Sequence, residues 1–352
     1  MKKTLLLAVT LSTAIAIIAP PAFAKKPKAT GDSGVEEALR LKAGDENGNE
    51  LKALKTEMLV IRSEKRALAE LQKLEKKHRG TRMEPEILFR LAELYMRRAR
   101  SERFFEVHRN SERVVMFAPS LVGQASEAAE IKKSIALYSD IEKRFPRFRA
   151  IDVVIFNNAY ANQQIGQTKE AEVLLTKLVK DHSGSLLVPD AYLALGEICF
   201  GRRAFTEALA HFRAIRRYPH ARVYPYGLYK AAWTYYNLQD ADSGLKQLEE
   251  VVTFGRAMAL AKADAKLDLR KEALNDMSLF FSDVRPSKEA VKYFGDQAKE
   301  LDAIPYIMRL VELYNRHSRF VDIEAVLKDI LKVYPNTPSA SAAHEELAWN
   351  YE

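Results

Sequence analysis

A two-helix pattern recurs along most of this chain and constrains its fold more than any other feature. Each copy carries a small or apolar anchor residue in its second helix, and the six anchors are Ser134, Ala171, Ala208, Gly244, Ala290 and Ile323. The steps between anchors are 37, 37, 36, 46 and 33 residues. One helix pair cannot bury its apolar face alone, so this repetition predicts an all-α stack of helical hairpins over residues 81–336.

The clearest copy is "LVPDAYLALGEICFGRRAFTEALAHFRAIRRYP". Its apolar residues recur at steps of three and four, as the buried rows of two helices require. These rows are Tyr192, Leu195, Gly196 and Cys199, then Ala208, Phe212 and Ile215, with Pro219 closing the unit. A small residue in the middle of each first helix predicts close approach of a partner helix. The residues in this slot are Ala92, Ala159, Gly196, Ala232 and Ser278, with Val311 as the exception.

Two copies depart from the regular spacing. In the first copy, residues 97–127 separate the first helix from its anchor, which predicts a longer helix and a loop around Pro119. The 46-residue step places residues 255–269 between two units, where the stack is expected to bend or lengthen.

This pattern resembles the tetratricopeptide repeat (TPR), a helix–turn–helix unit of about 34 residues. The resemblance covers six copies over residues 85–336. It implies a right-handed superhelix, with a concave face that is lined by the first helices and binds peptides. Family members that clamp a C-terminal carboxylate use Lys and Asn from neighbouring first helices. That clamp is absent here, because the row that would supply its lysine reads Phe89, Phe156, Leu193, Tyr229, Asn275 and Met308. An extended or helical apolar peptide fits better.

The segments outside the repeats are assigned from local patterns. Residues 1–24 combine a basic start, an apolar run and the ending "APPAFA", which is the layout of a cleaved secretory signal. The polar residues 25–49 are predicted to form a flexible linker, and residues 50–80 an amphipathic helix that packs on the domain behind it. Residues 337–352 are interpreted as a capping helix or as the start of a further repeat.

The signal predicts export to the periplasm of a Gram-negative bacterium. Cys199 is the only cysteine, so no internal disulfide forms and the fold depends on its apolar core. The net charge is +8, and removing Lys2 and Lys3 with the signal leaves +6, which is mild for this length. Nucleic acid is not expected as a partner of an exported protein, and any peripheral association with the membrane is expected to go through partner proteins.

No catalytic or metal-binding signature is present in the sequence. It lacks a glycine-rich phosphate loop, a His-Glu-x-x-His pair and a nucleophile elbow. The seven histidines are scattered, with no two spaced to share a metal from one helix face. Cys199 occupies an inner-row position and is interpreted as a small buried hydrophobe. The chain is therefore expected to be no enzyme and to need no cofactor.

The stretch "YPYGLYKAAWTYY", residues 224–236, is the candidate binding site. Its helical register assigns Leu228, Ala231, Ala232 and Tyr235 to the inner row. A second stripe then remains, formed by Tyr226, Tyr229, Trp233 and Tyr236. The family resemblance implies that this stripe faces the concave groove, where aromatic rings give rigid contact area for peptide recognition. Tyr229 is equally compatible with core packing, because its position is apolar in five of the six units.

Neighbouring units extend the predicted groove. The expected peptide-binding residues are Tyr226, Tyr229, Trp233, Tyr236, Phe156, Tyr160, Phe200 and Lys230. Trp233 and Tyr236 are the strongest candidates, because the matching positions of sibling units are often polar.

These features predict a periplasmic scaffold that holds a segment of another envelope protein. The signal together with the repeats is similar to periplasmic TPR proteins of outer-membrane assembly and Tol-associated maintenance. The phrases "LYKAAWTYYNLQ" and "LRKEALNDMSLFFSD" resemble TPR proteins of the myxobacterial gliding-motility complex. Two alternatives remain open at this point: an envelope enzyme or its regulatory subunit acting on peptidoglycan, and a module that stacks glycan chains on Tyr226, Trp233 and Tyr236.

Overall fold

The structure is a computed structural model that describes residues 46–107, 126–261, 268–335 and 338–351. The predicted signal, most of the predicted linker and the predicted loop around Pro119 lie outside these ranges. The chain divides into two compact units, Met1–Thr56 and Glu57–Glu352. Of the first unit, the structure describes only the beginning of one helix.

The described residues form α-helices and no strand, which confirms the predicted all-α fold. The helices are α1 (Glu46–His78), α2 (Glu84–Val107), α3 (Glu127–Arg144), α4 (Ile151–Gln164), α5 (Thr168–Asp181), α6 (Val188–Gly201), α7 (Phe205–Ala214), α8 (Tyr224–Asn237), α9 (Ala241–Leu260), α10 (Arg270–Val284), α11 (Ala290–Ala298), α12 (Ile304–Arg316), α13 (Phe320–Val333) and α14 (Pro338–Tyr351). Short 3₁₀ turns at Ile215–Arg217 and Ser287–Glu289 follow α7 and precede α11.

Each helix from α2 onward packs against the next one in sequence, as expected for stacked hairpins. The apolar core is a series of clusters in which one first helix is shared between successive hairpins. One cluster joins α2, α3 and α4, the next joins α4, α5 and α6, and a third joins α6, α7 and α8. The largest runs from α8 to α14. Because each cluster needs residues from two hairpins, no hairpin completes its core alone.

The six anchors lie in the core. The contacts of the anchor Ser134 and of Gly196, a small residue of a first helix, show why small side chains are needed at such positions. Ser134 is fully buried and its hydroxyl donates a hydrogen bond to the carbonyl oxygen of Ala92, the small residue of the first helix in that unit (2.9 Å). At Gly196 the Phe212 ring of the partner helix occupies the space where a Cβ atom would lie. Close approach at these positions therefore requires a small side chain.

The turns inside four hairpins share one backbone feature that their residue types do not predict. The residue five positions before the anchor has a positive φ, at Gly166 (78°), Arg203 (64°), Gln239 (66°) and Ser318 (54°). Only one of the four is glycine, the residue that adopts this conformation without steric cost. The shared position supports the repeat register, and the unit anchored at Ala290 departs from it.

Some predicted details need correction. Helix α1 begins at Glu46, inside the segment that was predicted to be a linker up to residue 49. Within residues 255–269, where the stack was expected to bend or lengthen, the residues up to 260 continue helix α9. In the unit of α10, the small residue Ser278 faces the next first helix: its hydroxyl donates to the carbonyl oxygen of Tyr306 on α12 (2.9 Å).

Substituting Gly244 tests the packing between α8, α9 and α10. A Cβ atom at this position would lie 2.5 Å from the Phe280 ring and 3.0 Å from the carbonyl oxygen of Ala232. Gly244→Ala is therefore expected to lower the free energy of unfolding by about 1–3 kcal/mol, as overpacking does. Urea denaturation measures the loss.

The matched control is Gly201→Ala, at the last residue of α6. Nothing lies within 4 Å of a Cβ atom placed there, so the added methyl group is expected to leave stability unchanged or slightly higher. Equal losses from both substitutions would contradict the close approach of Phe280 to Gly244.

Candidate peptide-binding surface

Helix α8 begins at Tyr224 with Pro225 in its first turn, where proline's fixed φ fits and its missing N–H costs nothing. Leu228, Ala231 and Ala232 of the predicted inner row are buried. Tyr235, assigned to the same row, is only half-buried, and the fully buried neighbour is Thr234. Its hydroxyl donates back to the carbonyl oxygen of Lys230 (2.7 Å), which allows a polar side chain in the core.

Three aromatic residues of α8 donate hydrogen bonds to two carboxylates of α10. The Trp233 indole Nε1–H donates to Asp276 Oδ2 (2.9 Å), and the Tyr229 hydroxyl donates to the same oxygen. One turn further along, the Tyr236 hydroxyl donates to Asp283 Oδ2 (3.0 Å). We call these five residues the α8–α10 surface. Its rings are fixed to the next repeat by charge-assisted hydrogen bonds, which are stronger than bonds between neutral groups.

The rings of this surface also rest on one buried side chain. Phe280 of α10 is fully buried, and its ring centroid lies 5.3 Å from Trp233 and 4.6 Å from Tyr236. The Trp233 and Tyr236 rings meet each other at 5.8 Å with an interplanar angle of 71°. Edge-to-face contacts of this kind stabilise aromatic pairs beyond the area they bury. Trp233 and Tyr236 nevertheless stay partly exposed.

Two of the predicted groove residues belong to the core, which corrects their assignment. Tyr226 is 7% exposed and sits in the cluster of α6, α7 and α8, with its ring stacked on Tyr229 at 6.4 Å. Phe156 is 8% exposed and belongs to the cluster of α4, α5 and α6. Their positions on the first-helix flank lie against the neighbouring hairpin, so the rings are used for packing.

The remaining predicted residues are partly exposed but separate from the α8–α10 surface. Tyr160 packs at the edge of the cluster around α2, α3 and α4. Phe200 meets Phe205 edge-to-face at 5.3 Å across the turn of its own hairpin. Lys230 pairs with Glu197 of α6 (3.3 Å) and lies over the Tyr226 ring at 5.1 Å. Of the predicted residues, Tyr229, Trp233 and Tyr236 thus meet on the α8–α10 surface, and Tyr226 with Lys230 adjoins Tyr229 on the side of α6.

The carboxyl group of Asp276 is electrostatically unusual. Burial raises its pKa, while the hydrogen bonds from Tyr229 and Trp233 and the positive charge of Arg309 lower it in part. Burial and the adjacent Asp283 carboxylate raise the pKa of the Tyr236 hydroxyl to about 12, so this hydroxyl keeps its proton and remains a donor. Burial likewise raises the pKa of Tyr229.

Helix α12 continues this flank of the first helices. A shallow cavity of about 320 Å³ is lined by Glu312, Asn315 and Arg316. Glu312 and Asn315 match Trp233 and Tyr236 in the repeat register, so the flank is polar on this helix, two repeats after the rings. Arg316 lies 3.9 Å from Glu312, a distance that marks a weak surface ion pair.

Within the described residues nothing indicates catalysis, and several groups are explained by packing. No cluster of three or more His, Cys, Asp or Glu side chains there could hold a metal ion. Cys199 is fully buried, and burial raises the pKa of its thiol, so it lacks the exposed thiolate that reactive cysteines need. None of the described helices combines the length and apolarity needed to cross a membrane.

The two carboxylates that hold the rings were not anticipated from the sequence. Asp276 and Asp283 are seven residues apart and therefore lie on one face of α10, about 10 Å apart along the axis. That spacing is visible in the sequence. Their pairing with the rings of α8 becomes visible only when the first helices of consecutive units are placed side by side.

Comparisons with known proteins bear on the repeat that carries the rings. Residues 226–253, which cover most of α8 and the first part of α9, match the family model described as tetratricopeptide repeat. This supports the predicted TPR resemblance for that hairpin. No curated protein matches the chain at a significant level.

Two solved structures are similar to this chain. One is a crystal structure of MamA, at 16% identity and a TM-score of 0.35, covering 54% of this chain and 92% of the other. The other is the C-terminal part of a TPR repeat-containing protein from Cytophaga hutchinsonii, at 16% identity and a TM-score of 0.42, covering 82% and 98%. At these identities and scores, neither indicates what this protein binds.

The raised pKa of Asp276 predicts a pH dependence of stability. Its ordinary value is 3.8, so between that value and the raised one the folded protein holds more protons here than the unfolded chain. This contribution stabilises the fold at low pH and is lost as pH rises through the folded-state pKa. Each unit of difference corresponds to about 1.4 kcal/mol. Asp276→Asn keeps an acceptor oxygen and is expected to remove this part of the pH profile.

Urea denaturation from pH 3 to pH 8 measures the difference between the wild type and Asp276→Asn. Asp296→Asn on α11, an exposed carboxylate paired with Lys292, is the control and is expected to keep the wild-type slope in this range. A difference between wild type and Asp276→Asn that stays constant with pH would contradict the raised pKa.

Proposed function

We propose that this protein is an exported scaffold that holds a peptide segment of another cell-envelope protein against the α8–α10 surface. The observation that carries the proposal is the partial exposure of Trp233 and Tyr236. Their polar atoms already have partners on α10, and the matching positions in other units often hold polar side chains. Large, rigid and partly exposed rings of this kind are enriched where proteins bind partners. The TPR match of this hairpin agrees with a role in protein interaction.

The geometry of the rings favours a peptide over a glycan. Sugars stack on flat ring faces, whereas the Trp233 and Tyr236 rings meet at 71° and form no continuous platform. Tyr226, which the glycan alternative also requires, is buried. A peptide can instead place different side chains against the two rings and the adjacent carboxylates.

The site of action that we propose is the periplasm, with the protein part of an outer-membrane or motility-related complex. The secretory layout of residues 1–24 and the resemblance of "LYKAAWTYYNLQ" to gliding-motility TPR proteins support this setting. The scaffold itself performs no chemistry in this proposal, and any peptidoglycan-directed reaction belongs to a partner.

Site-specific photo-crosslinking tests the proposed function. Cys199 is fully buried, so a cysteine introduced on the surface is the only thiol that a benzophenone maleimide reaches in the folded protein. Asn315→Cys places the probe on α12, on the same flank of the first helices as the rings, and Lys292→Cys places it on a second helix, α11. We expect envelope extracts to yield adducts with the Asn315→Cys protein that Lys292→Cys does not give.

The same adducts are expected to weaken when Trp233→Ala and Tyr236→Ala are added, provided that thermal unfolding shows a folded protein. Identical adduct patterns from the two probe positions, or adducts that persist without the two rings, would refute binding at the α8–α10 surface.

Export is tested separately by sequencing the N-terminus of the mature protein. Expression in a Gram-negative host is expected to give a periplasmic protein that begins at Lys25, directly after Ala24. Ala22→Glu and Ala24→Glu place charge in the cleavage pattern and are expected to abolish processing. A cytoplasmic protein that retains Met1 would contradict the predicted signal.

A further inference from the structure

The side-chain hydrogen-bond donors of the three rings on the α8–α10 surface are all bonded within that surface. The Trp233 indole N–H and the hydroxyl hydrogens of Tyr229 and Tyr236 all point to carboxylates of α10. The groups that remain available to a ligand are the carboxylate oxygens, the lone pairs of the phenol oxygens and the faces of the rings. All three are acceptors or π-systems, so they favour a ligand group that is a donor and a cation.

The charged residues near the rings also favour a cationic ligand group. The acidic residues on this flank are Glu197, Glu272, Asp276, Asp283 and Glu312, and the basic ones are Lys230, Arg309, Arg316 and Arg319. Arg319 pairs with Asp322 of α13 (2.6 Å). Lys230 pairs with Glu197, and Arg316 lies 3.9 Å from Glu312. Among the described residues, the aspartates of the surface accept hydrogen bonds only from neutral donors, and no ion pair joins Arg309 to Asp276. An acidic patch on a chain whose net charge is +8 is a local feature of this surface.

Both aspartates retain oxygen atoms for a further partner. The hydrogen bonds from Tyr229 and Trp233 end on Oδ2 of Asp276, and the bond from Tyr236 ends on Oδ2 of Asp283. A guanidinium group is planar, stacks on aromatic rings and donates two parallel hydrogen bonds to carboxylates. It matches a surface that places ring faces next to carboxylates better than the compact ammonium group of lysine does.

We propose that the peptide segment bound at the α8–α10 surface is basic, with arginine side chains that lie against the exposed faces of Trp233 and Tyr236, one pairing with Asp276 and another with Asp283. This proposal rests on the proposed function and specifies the chemistry of its partner. Arg309 of α12 is the internal competitor, because its positive charge already acts on Asp276. Any ligand cation that reaches Asp276 experiences repulsion from Arg309.

Fluorescence titration with synthetic peptides tests the proposal on the full mature chain. The protein has two tryptophans, and Trp349 is 79% exposed, so Trp349→Phe leaves Trp233 as the single reporter. The probe is a short capped peptide in which arginine alternates with leucine. Matched peptides carry glutamine or glutamate in place of arginine. We expect the arginine peptide to bind about tenfold more tightly than the glutamine peptide, with the glutamate peptide weakest.

Three variants locate the contact. Asp276→Asn with Asp283→Asn keeps the acceptors for the rings and is expected to reduce the affinity for the arginine peptide to that for the glutamine peptide. The control pair Asp242→Asn and Asp296→Asn changes the net charge equally on the second helices α9 and α11, and is expected to leave the affinity within about twofold. Arg309→Gln is expected to tighten the binding of the arginine peptide.

Several results would overturn the proposal. These are equal affinities for the arginine and glutamine peptides, an equal loss in the control pair, and preferential binding of the glutamate peptide. Binding of chito-oligosaccharides that quenches Trp233 and is unaffected by the aspartate variants would assign the surface to glycans. If the arginine peptide fails while specific crosslinks at Asn315→Cys remain, the basic occupant is wrong and the scaffold function stands. If both fail, the proposed function fails as well.

Discussion

The contact of Phe280 with α8 and α9 joins two consecutive hairpins of the repeat stack. Its buried ring lies against Gly244, Trp233 and Tyr236, so one side chain of α10 meets both helices of the preceding hairpin. A single hairpin cannot bury its own apolar face, and each junction between hairpins must therefore supply part of the core. At this junction, aromatic side chains form that part of the core. Asp276 accepts the hydrogen bonds that the Tyr229 hydroxyl and the Trp233 indole N–H donate.

The same junction determines what its outer surface can recognise. Rings packed on Phe280 and bonded to carboxylates cannot reorient freely, so a ligand meets them already in place. Because their donors are occupied, the exposed part of Trp233 and Tyr236 presents faces and acceptors beside negative charge. In our proposal, stability of the stack and selectivity for a cationic side chain thus arise from one set of contacts, and a substitution there affects both. Variants that keep the acceptor and remove only the charge separate the two effects.

Periodicity was sufficient to predict the all-α fold and to place residues such as Ala208 and Phe212 in the core, because small and apolar residues recur where helices approach. Periodicity was insufficient for Tyr226. The flank of a first helix contacts the neighbouring hairpin at one end and solvent at the other, and residue spacing alone does not show which residues lie at which end. The role of Asp276 depends on a residue in a different repeat. The left-handed turn at Gln239 lacks the glycine that would have revealed it.

A double-mutant cycle between Trp233→Phe and Asp276→Ala tests the central claim most directly, namely that the rings of α8 are bonded to α10. Trp233→Phe removes the indole donor and Asp276→Ala removes its acceptor, and urea denaturation gives the free energy of unfolding of each variant. The two residues share a 2.9 Å hydrogen bond, so a coupling free energy of about 1 kcal/mol or more is expected. Additive effects, with a coupling free energy of zero, would contradict the account.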